Sequence, residues 1–261
     1  MQVEQHDIES LLAYRPRTDY RISERWLLAP ISNYLIWGIL PWTLVIGLFA
    51  QIPPDVLGAV RIGLIILGLL ASALSAQLVY LLVNRRNNHF AREQATFRNL
   101  LDILGPKVPV NDENGQWRLM NNYRCYKWLS EYCGEKSAIL QALLTLIPYA
   151  GWVILMSELL LLTDDWKEHE IREDYMIQEV NGTLGFLGLY LLPNRLRPSV
   201  LRFRSSVLFL LLSIFTLGIG TLVWLYLSIR DPYEHFEYHS HFEFPLAGLL
   251  GPPKAPTGVV A

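Results

Sequence analysis

The segment His235-Phe-Glu-Tyr-His239-Ser-His241 carries the densest set of groups able to do chemistry. On a helix His235 and His239 lie one turn apart on one face, the spacing with which two imidazoles bind one metal ion. His241 follows as a further candidate ligand. No third ligand is assured and no His-Glu-x-x-His pattern is present, so the alternative is a polar helix end that responds to pH. Glu158 and Arg61 are single charges inside apolar blocks. A charge at bilayer depth costs several kcal/mol, so Glu158 is expected to face protein or water and Arg61 to reach the interface along its stem. Cys125 and Cys133 are too few for a disulfide framework or a zinc site. No phosphate-binding loop, nucleophile elbow or Cys-x-x-Cys occurs. These motifs give no catalytic residue and ask for no cofactor, and the chain is read as not an enzyme.

The elements that must position these groups are membrane elements. Only 18% of the 261 residues are charged, against roughly 25% in an ordinary soluble domain, and the charges collect between apolar blocks. Eight Trp and 13 Tyr suit the wet-and-dry headgroup level. The predicted fold class is all-α, a polytopic membrane protein of helical hairpins and amphipathic surface helices. Residues 1–25 are a polar N-terminal segment. Residues 26–83, kinked at Pro41 and turned by Pro53-Pro54, form a transmembrane helical hairpin. Residues 84–136 are polar, and Phe90, Phe97, Leu101 and Leu104 make a helical stripe expected on the membrane surface or a neighbour. A loop is predicted over 106–115. The apolar stretch 137–163 is broken by Pro148 and Gly151, and 205–229 by Gly218 and Gly220. Between them, 164–204 holds a polar helix and a basic linker. Residues 230–261 are the His/Glu-rich segment and a Pro/Gly tail.

Three stretches align without a gap: 69–93, 149–173 and 215–239. His89, His169 and His235 coincide, and small residues fall near the start of each copy. The alignment is weak residue by residue, yet each copy places an apolar block before a polar helix start at one spacing. This suggests an internal repeat. In the third copy, Thr216-Leu-Gly-Ile219 followed by Val223-Trp-Leu-Tyr226 resembles the repeated core of a family of small prokaryotic membrane proteins of unknown function. The third apolar block departs from it, with Pro148 and Glu158 where that family has glycine and tryptophan. The resemblance implies a multi-pass membrane fold and implies no activity.

Cytoplasmic segments carry excess Lys/Arg. Segments 1–25, 84–136 and 164–204 hold four, nine and six such residues, the 51–55 loop none. All three polar segments are therefore placed in the cytoplasm, which requires the third and fourth apolar blocks to turn back as hairpins. Straight helices would instead give four spans. The basic residues Arg15, Arg17, Arg21, Arg85, Arg86, Arg195 and Arg197 are expected at anionic headgroups, at roughly 1 kcal/mol each. Basic and acidic residues alternate, so nucleic acid is not an expected partner. The function expected from this pattern is an accessory or scaffold subunit that packs the bilayer and other membrane subunits. The alternatives are a membrane-shaping or lipid-binding hairpin protein, or a metal-binding membrane protein.

Overall fold

Proline at the first helical position costs no hydrogen bond, and Pro54 opens the longest element of the chain. In a computed structural model describing residues 8–132, 134–189, 191–193 and 199–249, the helices are α1 (Ile8–Thr18), α2 (Leu28–Phe49), α3 (Pro54–Leu104), α4 (Glu113–Tyr132), α5 (Ala138–Leu144), α6 (Ala150–Phe186), α7 (Ser206–Phe215), α8 (Ile219–Arg230) and α9 (Pro232–Leu249). No strand occurs among the described residues. The protein is all-helical.

Two helices are long and apolar enough to cross a membrane, Glu24–Phe49 and Pro54–Lys107. The third and fourth apolar blocks add no such helix among the described residues, because both are cut. Tyr149 at φ 60° separates α5 from α6, and Leu217 at φ 53° with Gly218 at φ 99° separates α7 from α8. Across the second break the backbones nearly touch: a Cβ on Gly220 would lie 2.7 Å from backbone atoms of Leu212 and Ser213. Only a residue without a side chain permits that approach.

The structure corrects three boundaries. The Phe90–Leu104 stripe is not a separate helix, because α3 runs unbroken from the apolar block through it, and of its two expected placements it takes the one against neighbouring helices. Its four residues are buried in a protein core. The polar helix predicted after the third block is the continuation of α6. The loop is shorter than 106–115, since α4 starts at Glu113. Nothing breaks the helical hydrogen bonds where polarity changes, so the helices do not stop there.

The three aligned stretches lie on packed helices: α3, α6 and α8 with α9. Equivalent residues form layers. Val79, Leu159 and Leu225 are all but fully buried, and they share one core with Leu82, Leu162, Trp224 and Ile229. A second core, around Phe90, Phe97, Leu101, Trp166, Ile177 and Phe236, fills the polar end with help from α4. α3 passes through both. Large apolar side chains are exposed along α3 from Val56 to Leu74 and along most of α2, then on α3 they cease.

Candidate metal centre

The aligned histidines meet. His89 on α3, His169 on α6 and His235 on α9 have ring centroids 5.5, 5.1 and 5.5 Å apart, nearly an equilateral triangle. Each is wholly buried. Residues one turn further along a helix share its face, so Glu93, Glu173 and His239, which coincide in the alignment, project into the same space. All three are also wholly or almost wholly buried. The donor sets His89–His169–His235, His89–Glu93–His239, Glu173–His235–His239 and Glu93–His169–Glu173 each fit within 4.8 Å. Every one of the six residues belongs to two sets and no pair recurs, so neighbouring sets share one residue each.

The shortest spacings are those of neighbouring ligands on an ion. His235 Nε2 lies 3.1 Å from His89 Nε2 and 3.0 Å from His239 Nε2. His239 Nε2 is 3.0 Å from Glu173 Oε1, and His169 Nε2 is paired with Glu93. Metal–ligand bonds of about 2.1 Å place neighbouring donors of an octahedron about 3.0 Å apart. Two of the imidazoles are oriented from outside. His89 turns Nδ1 to Asp19 at 2.8 Å and His239 turns Nδ1 to Glu243 at 3.2 Å, the carboxylate–histidine arrangement that fixes the other nitrogen on a metal. Arg92 joins the two outer carboxylates, donating to Asp19 Oδ2 at 2.8 Å and Glu243 Oε1 at 2.6 Å. Aromatic rings close the wall, with Phe90 stacked on His169 at 3.8 Å and Phe236 4.9 Å from His89.

Charge explains the remaining chemistry. Arg92 and Arg15 face Asp19 and Glu243, so those four groups balance. Burial alone would raise the Asp19 carboxyl, but the neighbouring His89 and Arg92 outweigh it and hold it below the usual range. Glu93 and Glu173 have imidazoles beside them instead. Burial, and then the nearby Glu93, push the Glu173 carboxyl well above its ordinary value. Burial and then His89 push the His239 imidazole well below its own, which keeps it neutral and ready to donate a lone pair. A divalent cation would balance two buried carboxylates, and imidazole with carboxylate is a donor set for first-row metals.

Of the predicted metal ligands, His235 and His239 are in the cluster. His241 is not: it is exposed on α9, because two residues from His239 is half a turn away. Arg85 and Arg86 are not at headgroups either; both are buried. Arg85 donates to the carbonyls of Ser228 and Ile229, which terminate α8, and Arg86 pairs with Asp165 at 3.1 Å. Arg15 is half-buried at the outer carboxylates, whereas Arg17 and Arg21 are exposed over the rings of Tyr14 and Tyr233. Arg195, Arg197 and Cys133 lie outside the described residues. Glu158 is buried on α6 and Arg61 half-buried on α3. They lie about 16 and 40 Å from the cluster along their helices, at 1.5 Å per residue.

Four of the six cluster residues were missed as ligands: His89, Glu93, His169 and Glu173. The signal was in the aligned copies, where an acid or histidine follows each shared histidine by four residues. No family model, no curated protein and no solved structure matches the chain.

Proposed function

We propose that this is a membrane-embedded metalloprotein that holds one divalent first-row transition metal between its three repeats. The observation carrying this reading is the near-equilateral triangle of buried histidines, completed by Glu93, Glu173 and His239 at equivalent positions. Imidazole and carboxylate donors suit iron, manganese, cobalt, nickel or zinc. Each donor set draws on two or three of the aligned stretches, so the ion serves in holding the repeats together. Membrane placement is supported by the apolar residues exposed from Val56 to Leu74, about 27 Å of helix against a bilayer core of about 30 Å. The polar end, with the centre, then lies in the cytoplasm, where the Lys/Arg excess puts it.

The test is elemental analysis of protein purified from membranes in mild detergent. Wild type should carry about one metal ion per chain, and His169→Ala and Glu173→Gln should carry little, with helicity retained. Equal metal in wild type and both variants would overturn the assignment. A second reading, an accessory subunit gripping a partner, is favoured by the exposed Trp117, Met120, Tyr123 and Trp128 on α4. Partner recovery that disappears on replacing Trp117 and Trp128 with serine would support it. Recovery unaltered by that change would count against this surface.

A further inference from the structure

The opposite end of the repeat builds a different site. Ser72, Trp152 and Gly218 occupy one equivalent position in the three copies, and there the two strained turns meet α2 and α3. Tyr34 donates its hydroxyl to the carbonyl of Leu217, and its ring lies 5.0 Å from that of Trp152. Trp37 lies 5.5 Å from Tyr149. Between these rings is a cavity of about 220 Å³, whose lining also includes Asn33, Ser72 and Pro148. Trp37 Nε1–H donates to Ser72 Oγ at 3.1 Å, and the Ser72 hydroxyl donates to Asn33 Oδ1 at 2.8 Å. That chain uses the carbonyl of Asn33 and leaves its amide N–H groups without an acceptor among the described residues. Trp152 Nε1 is buried and has no acceptor among them either.

Two features distinguish this cavity from a packing gap. Irregular backbone at membrane depth is tolerated where it is buried in protein or lines a cavity, and the Ile147–Tyr149 turn lines this one. Strain in non-glycine residues such as Tyr149 and Leu217 gathers at functional positions. The lining offers donors and aromatic faces, so its complement is a flat or ester-bearing group with carbonyl acceptors. Ser72 lies 12 residues before Asn84, about 18 Å into a bilayer core of about 30 Å. The neighbouring surface is apolar, with Leu35, Ile39, Ile147 and Tyr149 exposed, so such a molecule arrives from the lipid phase.

The geometry points to a binding site for a membrane-borne carbonyl compound, held between Tyr34, Trp37, Tyr149 and Trp152 and hydrogen-bonded by Asn33. This rests on the membrane placement proposed above and is independent of the metal. Its sources are an isoprenoid quinone, through its ring, or a glycerolipid, through its ester.

The experiment uses the full chain in phosphatidylcholine nanodiscs, titrated with a benzoquinone bearing a ten-carbon tail. A parallel sample is extracted and its co-purified lipids are identified by mass spectrometry. Saturable tryptophan quenching, weakened at least tenfold in Ser72→Leu and Asn33→Leu, supports the site with a quinone. Retention of one glycerolipid by wild type and its loss from both variants supports the site with a lipid. Metal content and membrane fractionation are measured on the same samples, and both should be unchanged. Quenching and retention that are absent, or equal in wild type and both variants, overturn the site. A chain that floats free of membranes would instead overturn the placement.

Discussion

Asp19 touches the cluster without being able to reach its centre. It holds His89 through Nδ1 and is itself held by Arg92. Such outer carboxylates typically contribute 10- to 100-fold to metal affinity, so Asp19→Asn should weaken binding by roughly that factor in competition with a chelator. His241→Ala should leave it unchanged. Affinity equal to wild type in Asp19→Asn would remove Asp19 from the centre. Arg86 offers a test of structure alone. Breaking a buried ion pair costs about 3–5 kcal/mol, and Lys136 also faces Asp165 and softens the loss. Arg86→Met should therefore cost about 3 kcal/mol in denaturant unfolding, and Lys127→Ala, at an exposed pair, almost nothing. At this scale the sequence was legible where spacing along one helix decides, as with His235 and His239. It was not legible where three helices converge, because His89 and His235 are neighbours only through tertiary packing. Arg85 and Arg86 were misplaced for the same reason: a pair of arginines beside an apolar block reads as headgroup-facing until the carbonyls of a second helix are seen in front of it.

The elements were legible in their breaks more than in their extents. Pro148 and Gly218 mark where the apolar blocks turn, because proline lacks a donor and glycine admits positive φ. The ends of α3 and α6 were hidden, since a change from apolar to polar residues alters what a helix faces and not whether it forms. The breaks are also where a methyl group decides stability. In Gly220→Ala the new carbon would sit against the backbone of Leu212 and Ser213, which cannot move aside as a side chain can. Overpacking of this kind typically costs 1–3 kcal/mol. Gly38→Ala has open space around it and gains helix propensity of up to about 1 kcal/mol. Thermal unfolding in one detergent should thus fall for the first and hold or rise for the second. Equal midpoints would mean that the α7–α8 crossing is looser than described.

Across the whole molecule, the centre ties together segments far apart in sequence: Asp19 after α1, His89 and Glu93 on α3, His169 and Glu173 on α6, and His235, His239 and Glu243 on α9. The cytoplasmic side proposed for it rests on lysine and arginine counts and not on any residue of the centre. That assignment expects a cysteine at Gln51 to react with an impermeant thiol reagent from outside intact cells, and one at Trp117 to react only after lysis. The cation itself should act as a structural tie. A ligand that binds only the folded state stabilises it by about 2.7 kcal/mol at a hundredfold excess over its Kd, so chelation should lower the unfolding midpoint of wild type and not of Glu173→Gln. The loss should be uneven. α1 and α9 are joined to the rest partly through Asp19, His235, His239 and Glu243, so protease sensitivity should rise there while the α2–α3 hairpin, packed along its own length, stays protected. Protons compete for the same donors. Glu173 has its carboxyl pushed upward by burial and by Glu93, and a cation must displace that proton to bind. Metal uptake in weak buffer should therefore release protons, and the stability conferred by the cation should be present at higher pH and fade as pH falls through the range where Glu173 and the imidazoles are protonated. Uptake without proton release, or a chelator effect undiminished at acid pH, would place the metal elsewhere than on these six side chains.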